Sequence, residues 1–137
     1  MNLAPKRRER TLILAPRGRD AVVAKRILHD AQLRCAICLD LVELLDEIKE
    51  GAEVAVVTEE ELTGPRLLAL DEWVAAQPPW SDFPFVILTK HGGGPERNPA
   101  ALELISRLGN VTLLERPFHP TTLVSLVQAS LRSRRRQ

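Results

Sequence analysis

Two hydrophobic patterns alternate along the chain. Short apolar runs are separated by longer stretches in which apolar side chains recur at helical spacing. The clearest run, 52–57 (AEVAVV), lies in the stretch 51–62 (GAEVAVVTEEEL), between Gly51 and a cluster of acids. A run of that length without helical spacing predicts a strand buried on both faces, as at the centre of a parallel sheet. The segments 10–15 (RTLILA), 33–39 (LRCAICL), 85–89 (FVILT) and 111–114 (VTLL) predict four more strands. After the first, Asp20 is placed to cap a helix over 21–32, with Val22, Val23, Ile27, Leu28 and Ala31 on one face. After the second, Asp40 with Glu43 three residues on predicts a capped helix. Its stripe is Leu41, Leu44, Leu45 and Ile48, and Gly51 ends it. A third helix over 66–76 carries Leu67, Leu70, Trp73 and Val74 between Gly64-Pro65 and Pro78-Pro79. The fourth covers 100–108 and stops at Gly109. The fifth runs from about 121 towards Ser133, with Pro120 at a favourable first position.

A strand followed by a helix, five times over, predicts an α/β domain, a (βα)5 three-layer sandwich with helices on both faces of a parallel sheet. In such sheets ligands sit beyond the carboxyl ends of the strands. Thr58, Glu59, Glu60 and Glu61 are therefore the first place to look for chemistry. At 137 residues, with 45% hydrophobic and 27% charged side chains, one well-cored domain is expected. The net charge of +1 conceals an asymmetry. The first ten residues carry +3 and the arginines of 132–136 carry +4, which leaves −6 on the body between them. Basic ends on an acidic body read as solvated termini, and no ordered basic face is evident, so no nucleic-acid partner is expected. No apolar run has the length of a membrane span, and the cytoplasm is the expected compartment. The expected division is a basic extension over 1–10, a domain over 11–131, and a basic tail over 132–137 that begins a linker helix.

The order of elements, together with particular residues, resembles the receiver domain of bacterial two-component response regulators. The resemblance spans about 11–131. It implies a flavodoxin-like fold with sheet order 2-1-3-4-5. In that family the third strand ends in a phosphate-accepting Asp, and the matching position here is Thr58. The family's acidic pair for Mg²⁺ falls on Ala15 and Pro16, followed by Arg17. The Thr or Ser that ends the fourth strand matches Thr89, and the Lys-Pro that ends the fifth matches Arg116-Pro117, followed by Phe118. The frame is kept while the groups for phosphoryl transfer are missing. That chemistry needs a carboxylate nucleophile, a hard cation held by oxygens, and a Lys.

The resemblance therefore implies a pseudo-receiver, a non-catalytic signalling and dimerisation module, with neither cofactor nor metal expected. Arg17 or Arg116 paired with Glu59 or Glu60 would give a fixed ion pair in place of a switchable phosphate. Two alternatives remain open at this point. One is an atypical phospho-accepting receiver that uses Glu59 or Glu60. The other is an anion- or nucleotide-binding domain that uses the Arg17, Lys90 and Arg116 rim.

The remaining chemistry-bearing residues carry less. Cys35 and Cys38 form a CxxC, but inside a strand their spacing sends them to opposite faces, so two buried reduced thiols are expected. His29, His91 and His119 lie on different elements without metal-site spacing. The glycine-rich loop 91–99 lacks the pattern of a phosphate loop. In the last helix, Leu123, Val124, Leu126, Val127, Ser130 and Leu131 span an arc of roughly 160°. Receivers dimerise through this region, so Val124 and Leu126 are the residues expected at a homodimer interface formed with the fourth helix. The helix shows no stop signal, and receiver-like modules of this kind also occur in sensor histidine kinases. A linked kinase module or a partner signalling protein is implied on the same ground.

Overall fold

The computed structural model describes residues 10–78, 82–90 and 99–135. Strands β1 (Thr11–Leu14), β2 (Cys35–Ile37), β3 (Val54–Thr58), β4 (Phe85–Thr89) and β5 (Val111–Glu115) form one sheet in the order β2-β1-β3-β4-β5. All four pairings are parallel. Helices α1 (Asp20–Asp30), α2 (Leu41–Glu50), α3 (Arg66–Ala76), α4 (Pro99–Leu108) and α5 (Pro120–Arg135) connect and follow the strands. A 3₁₀ turn, Glu59–Glu61, continues directly from β3.

The sheet separates two cores because successive strand residues face opposite ways. Leu12, Leu14, Ala55, Val57, Phe85 and Ile87 meet α2, α3 and α4 on one side. Ile13, Val54, Val56, Val86 and Leu88 meet α1 and α5 on the other. The three inner strands are buried along their whole length, as strands covered on both faces must be. Helix α2 buries the stripe its spacing predicts, Leu41, Leu44, Leu45 and Ile48. Its cap is Asp40, whose Oδ1 accepts the Glu43 amide at 2.8 Å. Arg10 closes the other end of α2. Its guanidinium donates to the Gly51 carbonyl at 3.0 Å and to Glu47 Oε2 at 2.5 Å, which ties Arg10 to the end of α2.

Several local expectations are corrected. Helix α1 turns Ala21, Ala24 and Leu28 to the core, while Val22 and Val23 are 59% and 42% exposed. Small residues on the buried face let α1 lie close to α5, and hydrophobicity alone did not reveal that register. Asp20 does not cap α1. Arg19 occupies that position without a side-chain hydrogen bond, and Asp20 is the first helical residue. Strand β2 spans only three residues, so Cys38 lies just beyond it. The two thiols do reach opposite cores, yet Cys35 is only half-buried because β2 is a short edge strand. Strand β3 starts and ends later than the apolar run, with Thr58 as its last residue.

The apolar arc of α5 is used within the domain. Leu123, Val127 and Leu131 are buried, and Val124 and Leu126 are half-buried against the same core. The arc is wide because α5 packs on the sheet and on α1 together. Expectations for the extension over 1–9, Pro79, His91 and most of its loop, and the end of the tail fall outside the described residues.

Candidate functional site

Three strand ends converge on the carboxyl edge of the sheet. Thr58 ends β3 and stands in register with Leu88, beside Thr89 at the end of β4, which pairs with Glu115 of β5. Thr58 is 4% exposed and Thr89 1%, so neither hydroxyl faces bulk water. Ala15, one residue beyond β1, is buried as well, whereas Pro16 and Arg17 are exposed.

The next residues along two strands meet over this edge. Arg116 follows β5 and precedes a cis peptide bond to Pro117. Its backbone amide and its Nε both donate to the Thr89 carbonyl, each at 2.9 Å. One terminal nitrogen, Nη2, binds Glu60 Oε1 in the turn after β3. The other, Nη1, reaches Asp20 Oδ2 at 3.3 Å, in the first turn of α1. A single guanidinium thus ties together the ends of β3, β4 and β5 and the start of α1. The planar fork of Arg can satisfy several acceptors at once where a Lys ammonium acts as a point charge. The Arg116 and Glu60 side chains are 19% and 18% exposed, so water screens the pair only in part.

The titration of both partners reflects this pairing. Burial pushes the Glu60 carboxyl up, but the hydrogen bond from Arg116, a backbone hydrogen bond and the charges of Arg116 and Lys90 prevail, leaving it below the usual carboxylate range. For Arg116, burial works against the charge, and the hydrogen bonds and charges of Glu60 and Asp20 more than restore it. The second oxygen of Glu60, Oε2, is buried without a hydrogen-bond partner among the described residues. Glu59 plays a separate part. Its Oε1 accepts the Lys90 backbone amide at 3.1 Å, which holds the β3 turn against the end of β4.

Of the residues singled out from the sequence, the structure brings together Thr58, Thr89, Arg116 and Glu60, with Ala15 at the neighbouring strand end. It brings Glu59 to the Lys90 amide, and among the described residues neither Arg17 nor Arg116 is bonded to it. No bond from Arg17 to Glu59 or Glu60 occurs among the described residues. Asp20 was not recognised as a member of the site, because its partner lies 96 residues away and no local pattern connects the two.

The residues do not fit a hard divalent cation. Ala15 and Pro16 offer no side-chain oxygen, and the carboxylates of Asp20 and Glu60 are directed at a guanidinium. Among the described residues no group of three or more His, Cys, Asp or Glu side chains is placed to hold a metal.

No protein-family model and no curated protein matches the sequence. Solved structures do. The receiver domain of NtrX from Brucella abortus superimposes with a TM-score of 0.72 at 20% identity, over 89% of this chain and 98% of that one. A CheY-like response regulator receiver domain protein from Methanospirillum hungatei gives 0.73 at 14% identity, over 93% and 97%. Full-length FixJ from B. japonicum gives 0.73 at 23% identity, over 92% of this chain and 59% of that one. At these identities the likeness is one of fold. The chain has the flavodoxin-like fold of response regulator receiver domains, with the sheet order 2-1-3-4-5 that the resemblance implied.

Proposed function

We propose that the chain is a pseudo-receiver, a non-catalytic signalling and protein-interaction module of a two-component phosphorelay. One observation carries this reading: Arg116 lies across the carboxyl edge of the sheet, bonded to Glu60, Asp20 and the Thr89 carbonyl, and β3 ends in a threonine. A receiver switches when a phosphoryl group arrives on a carboxylate at the end of β3. Here that position holds a buried hydroxyl, a weak nucleophile unless a base activates it, and a permanent cation and anion are joined above it. The ion pair acts as a latch that keeps the β3–α3 turn and the start of α1 in one arrangement. Glu59 and Glu60 are poor substitutes for the missing nucleophile, since one holds the Lys90 amide and the other holds Arg116.

The output is contact with other proteins. The outer edge of β5, with half-buried Val111 and Leu113, and Leu102 on α4, 51% exposed, give the fourth and fifth helices a surface for a second copy or a kinase module. Val124 and Leu126 contribute only the parts of their side chains that the core leaves open. No helix among the described residues is long and apolar enough to cross a membrane, which accords with work in the cytoplasm.

The test is incubation with acetyl phosphate and Mg²⁺ followed by intact mass measurement, with light scattering on the same sample. An unchanged mass is expected. A stoichiometric phosphoryl adduct on Glu59 or Glu60 would replace this reading with that of an atypical phospho-accepting receiver.

A further inference from the structure

Strand β2 lies at one end of the sheet, with β1 as its neighbour, so its outer side is an edge. Helices α1 and α2 flank this end from opposite faces, α1 on the core of Ile13 and Leu28 and α2 on that of Leu12 and Leu44. The two cysteines show which flank of each helix is turned to the edge. Cys35 Sγ donates to the Lys25 carbonyl at 3.8 Å, which sets the second turn of α1 beside the strand. Cys38, just past the strand, has Glu43 and Glu47 of α2 close enough to help raise its thiol. The α1 flank is Val22, Lys25, Arg26 and His29, all exposed, at i, i+3, i+4 and i+7. The α2 flank is Glu43, Asp46, Glu47 and Glu50, at the same spacing. Each set comprises the third, sixth, seventh and tenth residues of its helix. Both helices follow parallel strands and so begin at the same end of the sheet, which puts the two stripes level with each other. One is basic and the other acidic. Glu47 already holds Arg10, but Arg10 and Arg34 stand at the amino end of the strands, whereas Glu43 and Asp46 lie on the first two turns, towards the carboxyl end.

We propose that the β2 edge is a self-association surface, where a second copy sits about a two-fold axis parallel to the strands and the basic flank of α1 meets the acidic flank of α2 twice. Such an axis exchanges the two faces of the sheet and leaves heights along the strands unchanged. It therefore brings α1 of one copy beside α2 of the other, level with it, in a closed isologous contact. An axis perpendicular to the sheet would let the β2 strands form an antiparallel ladder, but it would set α1 against α1 and α2 against α2. Like charges then oppose each other on both faces, which guards the edge against that pairing. Charge thus selects the axis. With the axis along the strands, identical backbone groups of the two β2 strands face each other, so no ladder joins them and the helices carry the contact. Leu39, 72% exposed at the carboxyl end of the edge, meets its counterpart there. This edge is at the far end of the sheet from β5, and it leaves the surface proposed above open to a different partner.

The experiment is sedimentation velocity of the full chain between about 0.01 and 1 M salt. A dimer with a Kd on the order of 10–100 µM is expected at the low end and a monomer at the high end. Lys25→Glu with Arg26→Glu makes both flanks acidic, and Glu43→Lys with Asp46→Lys turns the first two turns of α2 basic. Each double variant should be monomeric alone. Mixed in equal amounts at low salt they should form a dimer of one copy each, because every contact again joins opposite charges. Asp46→Lys alone, at an exposed position that cannot disturb the core, should raise the Kd by about tenfold. A wild-type chain that stays monomeric at low salt, a mass that grows beyond two copies, double variants that still dimerise alone, or a mixture of folded variants that does not associate would each overturn the proposal. So would an Asp46→Lys chain that associates as the wild type does. No substitution touches Arg116 or Glu60, so this outcome is separate from that of the acetyl phosphate test.

Discussion

Arg116 directs its hydrogen bonds to three acceptors from three parts of the chain, so truncating it removes three tertiary ties at once. Arg116→Ala leaves Glu60 largely buried without its cation and is expected to cost about 2–3 kcal/mol in denaturant unfolding. Arg116→Lys keeps one charge but cannot reach all three acceptors, and should fall between. The lowered Glu60 carboxyl fixes the sign of a pH effect. Its folded value lies below its unfolded value, so the stabilisation is complete above the unfolded value and is lost as pH falls through the folded one. Wild-type stability should therefore decline below about pH 4.5, the ordinary range for Glu, and Glu60→Gln should flatten that limb of the profile. Cys38 behaves in the opposite sense. Burial, with Glu43, Glu47 and Asp40 nearby, pushes its thiol up to about 12, while Arg10 opposes the shift. A raised thiol stabilises the fold below its unfolded value and ceases to do so as pH rises towards the folded one. Iodoacetamide at mildly alkaline pH should accordingly modify half-buried Cys35 first and spare Cys38 until the chain unfolds. Equal rates in the native protein would contradict the burial of Cys38.

Among the elements, α1 departs furthest from its apolar pattern. Its hydrophobic side chains would favour a face through Val22 and Val23, yet the helix buries alanines and exposes the valines. Close approach to α5 explains the choice, since a face of small residues shortens the distance between helices that share one side of the sheet. Ala24 is fully buried, and Ala24→Leu should cost about 1–3 kcal/mol by overpacking that contact. Val22→Thr should change stability by no more than about 0.5 kcal/mol. Thermal melts of the two variants decide between this register and the one the apolar pattern suggests. Helix α2 is the contrasting case. Its stripe, its Asp40 cap and its stop at Gly51 agree with one another, and each appears in the structure. Where local signals coincide, tertiary packing has nothing to override.

For the whole molecule, the loss of switching that we propose would belong to a set of positions rather than to one. Thr58→Asp would restore a carboxylate at the end of β3, but Ala15 and Pro16 would still offer no oxygen to a cation, and Arg116 would still hold Asp20 and Glu60. The variant is expected to take no phosphate from acetyl phosphate with Mg²⁺, as read by intact mass. An adduct on the introduced carboxylate would mean that a nucleophile alone revives the chemistry. The same reasoning sets what a partner can sense. On that proposal, with the carboxyl edge fixed by an ion pair, surfaces elsewhere, such as the β5 edge, would be left to carry contacts.

The number, kind and order of the elements were already legible in the order of residues, because burial on both faces and burial on one face leave different periodicities. So were the absence of a carboxylate at the end of β3 and the presence of Arg116 just past β5. Which carboxylate Arg116 meets was a matter for the folded chain. Glu59 and Glu60 are adjacent and chemically alike, and the 3₁₀ turn aims one at Lys90 and the other at the guanidinium. Folding alone brought in Asp20, whose place at the site depends on α1 and β5 being held against a common sheet. The face of α1 was settled in the same way, by the shape of α5 opposite it. Local patterns record how much of a side chain is buried, whereas partners far apart in the chain are chosen by packing, which no window of sequence contains.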